Sequence, residues 1–116
     1  MNHEVARGKM TPDRLSLKLQ ALADPTRRAM LARLRQGEAT VNELAQPFEI
    51  SLPAISKHIR VLQLAGLITR SRNAQQRPCQ LSPEGLQEVD EWMKAYRDIW
   101  VERLNRLDTY LQTVKE

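Results

Sequence analysis

The stretch from Thr40 to Leu62, TVNELAQPFEISLPAISKHIRVL, decides the fold. Thr40 and Glu43 form a capping box. The threonine hydroxyl can accept from the Glu43 amide while the Glu43 carboxylate reaches back to the Thr40 amide. The helix they start must be short, because Pro47 removes a backbone donor and clashes with the preceding turn. Ser51 then caps another helix, with Pro53 tolerated in its first turn. Leu52, Ile55, Ile59 and Leu62 recur at helical spacing as its buried face, and Gly66 closes it, giving a helix over about 52–65. Two short helices joined by a tight turn, the second longer and better patterned, read as helix-turn-helix.

Upstream the punctuation repeats. Thr11-Pro12 reads as the cap and first residue of a helix carrying Leu15, Leu19 and Leu22 on one face, with Leu17 and Ala21 on a second. Two apolar faces on a short helix predict that it is sandwiched. Asp24-Pro25 caps a second helix that runs toward Gly37, with Met30, Leu31 and Leu34 inward and Arg27, Arg28, Arg33 and Arg35 outward. The helix over 52–65 is therefore the fourth.

Downstream the period changes. Residues 67–72 are strand-like, Asn73-Ala74-Gln75-Gln76 is a polar turn, and Arg77 to Leu81 return as a second strand. A lone hairpin is marginal in water, so this one must lean on the helices. Ser82-Pro83 caps a last helix of about 32 residues, roughly 48 Å long. Leu86, Val89, Met93, Tyr96, Trp100, Leu104, Leu107, Leu111 and Val114 follow one another at steps of three and four along it. That heptad-like seam is too long for so small a body and reads as a partner surface.

The bulk properties fit one mainly α domain. There are 116 residues, 41% apolar and 28% charged, with only 4% aromatic. An all-β sandwich or barrel is disfavoured by so few aromatics and turn residues. No apolar run approaches a membrane span, residues 1–10 lack a signal-peptide core, and a single cysteine forms no internal disulfide. The expected compartment is the cytoplasm, with no membrane partner.

Charge is unevenly spread. Residues 1–81 carry 13 Lys/Arg against 6 Asp/Glu, whereas residues 82–116 carry 5 against 8. No acid lies between Glu49 and Glu84, an interval that spans the fourth helix and the hairpin together. A solvated surface normally mixes signs, and attraction to phosphate explains the missing acids better. On the fourth helix Lys57 lies opposite the buried stripe. Pro53, Ala54 and Arg60 share its outward half, and Ser56 and His58 flank it. A small, polar, cationic face of this kind can enter the major groove of double-stranded DNA and reach base edges. Ser56, Lys57 and Arg60 are the expected base or near-base contacts. Thr40, Arg70, Arg72 and Arg77 are expected on phosphate or in a minor groove, the three arginines surrounding a Gln75-Gln76 tip that belongs to the same interface. The competing reading is a dimeric interaction module that offers the same basic face to an acidic protein.

Ala23-Asp24-Pro25-Thr26-Arg27-Arg28, Val41-Asn42-Glu43-Leu44-Ala45, Ser56-Lys57-His58-Ile59-Arg60-Val61-Leu62 and Ala65-Gly66-Leu67-Ile68 together resemble ArsR-type bacterial winged-helix repressors over residues 11–104. The resemblance implies a homodimer whose fourth helices enter the major groove, with the Arg-bearing hairpin as the wing. It also implies that the first and last helices form the dimer interface, here Leu15, Leu19 and the seam from Leu86 to Leu111. The chain then divides into a flexible tail over 1–10, a winged helix-turn-helix domain over 11–81 and a dimerisation helix over 82–116. Many members of this family sense metals. Where they place a cysteine pair this chain has Leu44-Ala45-Gln46-Pro47, and its last helix holds carboxylates but no histidine. Trp92, Trp100 and Arg106-Leu107-Asp108 resemble a branch that lacks metal sites. We expect no metal and no cofactor, and the sequence names no effector.

The remaining reactive groups support no enzyme. Cys79 beside Arg77 reads as a half-buried strand residue acting as a small hydrophobe, against the alternative of a redox-active thiol. His58 could in principle serve it as a base, but there is no phosphate loop, oxyanion element or third orienting group, and the ring is expected to hydrogen-bond within the helix-turn-helix or to touch DNA. Trp92, Tyr96 and Trp100 could line a ligand pocket, and steps of four on a helix favour interface core instead.

Overall fold

A computed structural model describes residues 13–72 and 75–115. The tail over 1–10, the Thr11-Pro12 cap and the centre of the hairpin turn lie outside the described residues. The order is α1 (Arg14–Leu22), α2 (Pro25–Leu34), α3 (Val41–Ala45), α4 (Leu52–Leu64), β1 (Ile68–Arg70), β2 (Cys79–Leu81) and α5 (Pro83–Lys115).

Local capping chemistry sets the starts. The Thr40–Glu43 box is closed in both directions, at 2.8 and 3.2 Å. Ser51 accepts from the Ala54 amide and Asp24 from the Arg27 amide. The cap of α1 is Asp13, two residues beyond Thr11, because its carboxylate takes both the Ser16 amide and the Ser16 hydroxyl.

The core gathers Ala21 from α1, Met30, Leu31 and Leu34 from α2, Leu44 from α3, and Ile55, Ile59 and Leu62 from α4, closed by Leu67, Ile68 and Cys79. Leu52 departs from the expected stripe and is 50% exposed. It is the first residue of α4, and helical side chains tilt toward the N-terminus, so it overshoots the core that Ile55 fills one turn later.

The hairpin is antiparallel, with Ile68 opposite Leu81 and Arg70 opposite Cys79. A third segment steadies it. Ala39 and Cys79 exchange both backbone hydrogen bonds, at 2.7 and 3.0 Å. Cys79 is thus sealed between two backbone neighbours and fully buried, deeper than the half-buried position expected.

The root of α5 is locked onto this body. The Ser82 amide donates to the Leu67 carbonyl. Gly85 packs so tightly on the α4–β1 turn that a Cβ there would stand 1.9 Å from the Gly66 oxygen. Lys18, only 3% exposed in a leucine-rich helix, reaches Glu88 at 3.1 Å, and Arg14 pairs with the same carboxylate. From Asp90 to Lys115 every residue is exposed. The radius of gyration is 19.2 Å, against about 13 Å for a compact chain of this length. The difference is the projecting helix, about 50 Å long in all.

Candidate nucleic-acid interface

The outward face of α4 and the hairpin enclose an open groove lined by Pro53, Ser56, Lys57, Ile59, Arg60, Gln63, Arg70 and Arg77. Six of the residues expected at the interface therefore come together here. Four of the lining residues are cations and none is an acid. Gln63 was missed by sequence reasoning, although the signal was there: it stands one helical step of three beyond Arg60 on the same face.

The hairpin side of the groove is held by its own backbone. Arg70 Nε donates to the Arg77 carbonyl at 3.1 Å, and the Ser71 amide donates to the Pro78 carbonyl. Arg77 has φ of +46°, a left-handed conformation that favours glycine over a branched or long side chain. The chain accepts that strain with a cation at the groove wall.

Thr40, Gln75 and Gln76 lie elsewhere. They line a second groove with Pro78 and two carboxylates, Glu38 and Glu43. The Thr40 amide and hydroxyl both take part in the capping box. Arg72 is exposed at the shoulder of the hairpin, outside the lining of either groove. Ala54 is half-buried beneath the Ser51 cap.

His58 faces inward. Its Nδ1 stands 3.2 Å from Arg27 Nη1 and 4.0 Å from the Asp24 carboxylate. Arg27 is accordingly half-buried rather than a solvated decoration of α2. The Arg27 amide, and after it the Arg27 guanidinium, hold the Asp24 carboxyl below its ordinary value. Burial pushes the Cys79 thiol up, against the pull of Arg70 and Arg77. A thiol kept protonated is a poor nucleophile, and His58 is already engaged by Arg27.

The seam on α5 divides in two. Leu86 packs against the chain's own core and Val89 is half-buried. Met93, Tyr96, Trp100, Leu104, Leu107 and Leu111 are exposed, and Trp92, Ile99 and Tyr110 widen the stripe. The Trp92 and Tyr96 rings lean on each other at 5.4 Å. On α1, Leu15 is half-buried and Leu19 exposed.

Residues 22–71, from the end of α1 to the shoulder of the hairpin, match a helix-turn-helix domain family. The HTH-type transcriptional regulator Rv2034 of Mycobacterium tuberculosis is 45% identical over 76 residues, 66% of this chain and 68% of that protein. The transcriptional repressor SdpR of Bacillus subtilis is 38% identical over 64% of this chain and 82% of its own. The crystal structure of the ArsR family transcriptional regulator RHA00566 superposes with a TM-score of 0.70 at 42% identity, covering 76% of this chain and 97% of that one. The chain belongs to the ArsR family. This ArsR-family protein is a DNA-binding transcriptional regulator and not an enzyme. Its fold is shared with a homodimeric winged helix-turn-helix domain from Mycobacterium bovis, at 23% identity and a TM-score of 0.59 over 74% of this chain and 80% of that one. Among the described residues no helix is long and apolar enough to cross a membrane.

Proposed function

We propose that the chain is a cytoplasmic repressor that binds an inverted-repeat operator as a homodimer, at its own or a neighbouring operon. The observation that carries this reading is the acid-free groove in which Lys57 and Arg60 of α4 face Arg70 and Arg77 of the hairpin. Polyanion binding needs such a cluster, and an exposed α4 supplies the side chains that discriminate bases. Ser56, Lys57 and Arg60 read base edges. Arg70, Arg72 and Arg77 meet phosphate or a minor groove, and Gln63 extends the reading face by one turn. The exposed stripe of α5, with Leu15 and Leu19, closes the dimer. A two-fold dimer presents its α4 helices about 34–36 Å apart, one turn of DNA. Repression then follows from occupancy of a site that transcription must use.

Binding to operator and to scrambled DNA at several salt concentrations tests this. Arg60→Ala weakens operator binding by about 1–3 kcal/mol per half-site and relaxes preference at one position. Arg72→Ala weakens both DNAs evenly and flattens the salt dependence by about 0.9 for each phosphate it no longer neutralises. Equal weakening on both DNAs for Arg60→Ala would assign reading to another face.

A further inference from the structure

Ala23-Asp24-Pro25-Thr26-Arg27-Arg28 does more than turn the chain between α1 and α2. A helix ends with carbonyls that have no partner within it. Asp24 caps α2 by accepting from the Arg27 amide at 3.0 Å, and this aims the first turn of α2 back at the end of α1. Arg27 Nε then donates to the Ala21 carbonyl at 2.8 Å and Nη2 to the Gln20 carbonyl at 3.0 Å. Arg28 donates to the Leu22 carbonyl at 2.8 Å. Two cations thus close the negative end of α1.

Only one of them reaches further. The remaining arm of Arg27, Nη1, lies 3.2 Å from Nδ1 of His58, in the middle of α4. A guanidinium can only donate, so Nδ1 offers its lone pair and the ring proton sits on Nε2. The fork is planar and rigid, and two of its arms are already fixed by α1. The third therefore gives α4 a directional tie to α1. The apolar packing of Ile55, Ile59 and Leu62 seats α4 on the core, but hydrophobic attraction is itself non-directional, and the guanidinium adds a directional constraint to it.

We propose that Arg27, through His58, is a positioning residue that fixes α4 relative to α1 and so sets the separation at which a dimer presents its two reading helices. This rests on the proposed function, in which α1 contributes Leu15 and Leu19 to the dimer. His58 then belongs to the scaffold of the reading helix rather than to its DNA-facing side.

The test uses the full chain and an operator selected from random inverted repeats, with the spacer kept, shortened or lengthened by one base pair. Wild type prefers the selected spacer by at least about fivefold, the size of a weak mismatch penalty. His58→Leu narrows that preference to under about twofold while still favouring the half-site sequence over scrambled DNA. His58→Asn, whose amide oxygen can replace Nδ1 as acceptor, restores it. Arg28→Ala, which removes a bond to α1 but none to α4, keeps the wild-type preference. Thermal melts check folding. If His58→Leu does not fold, Arg27→Lys, which keeps the charge and removes the fork, takes its place and narrows the preference likewise. If the folded variant ranks the spacers as wild type does, the positioning role is wrong. If wild type favours no inverted repeat over a single half-site, the proposed function fails first and the positioning role falls with it.

Discussion

Residues 13–89 and residues 90–115 are both largely helical with apolar stripes at the same spacing, yet they bury them in opposite ways. In the first region α4 finds α1, α2, α3 and the hairpin, and Ile55 and Leu62 are wholly enclosed. In the second, Trp100 is 64% exposed and, among the described residues, no neighbour in the same chain covers it. The periodicity of a sequence tells which face of a helix is apolar. It does not tell whether the chain itself or another copy will cover that face. The first region should therefore owe its stability to packing within one chain, and the second to association.

The largest effect is expected from a cavity in the head, residues 13–89. Leu62→Ala should cost about 2–5 kcal/mol by the burial it removes, with a denaturation midpoint independent of protein concentration. A strongly concentration-dependent effect would mean that the head, too, is completed by a partner.

Next in size is a charge at the centre of the stripe. Trp100→Glu should weaken the dimer by at least about 2 kcal/mol, some thirtyfold in dissociation constant, so that sedimentation at micromolar concentration yields monomers. The circular dichroism of the head should survive. A dimer that persists would place the interface on another face.

A smaller effect separates fold from function inside the head. Arg77→Gly relieves a left-handed residue, so stability should hold or rise by up to about 1 kcal/mol. DNA affinity should fall at the same time, with a shallower salt dependence. If stability fell as well, the Arg77 side chain would be part of the packing rather than of the interface.

The smallest effect is on acid stability. The folded Asp24 carboxyl lies below its ordinary 3.8, chiefly because the Arg27 amide and guanidinium favour its charged form. A group depressed in the folded state adds stability that is complete above its unfolded value and is lost as pH falls through the folded one. Urea midpoints should therefore drop below about pH 4 in wild type. They should drop less steeply in Asp24→Asn, which starts lower at neutral pH. Identical acid limbs would show that Asp24 gains nothing from the α1–α2 junction.

The element order, the caps at Asp24, Thr40 and Ser51, the face of α4 that carries Lys57 and Arg60, and the family are all legible in the chain of residues alone. These features are local, written in residues one or two helical turns apart, or in motifs read as a unit. Which distant residues meet is settled by packing in three dimensions. Lys18 is buried on Glu88, Gly85 is pressed onto Gly66, Cys79 is bridged to Ala39, and His58 is turned from the expected interface to Arg27. Packing also sets Thr40, Gln75 and Gln76 in a groove with two carboxylates, apart from the cationic one. No spacing rule reaches across such separations, because these meetings depend on how helices of known faces pack in three dimensions. A lysine in a leucine stripe looks solvated until a carboxylate from another helix is brought within hydrogen-bonding distance.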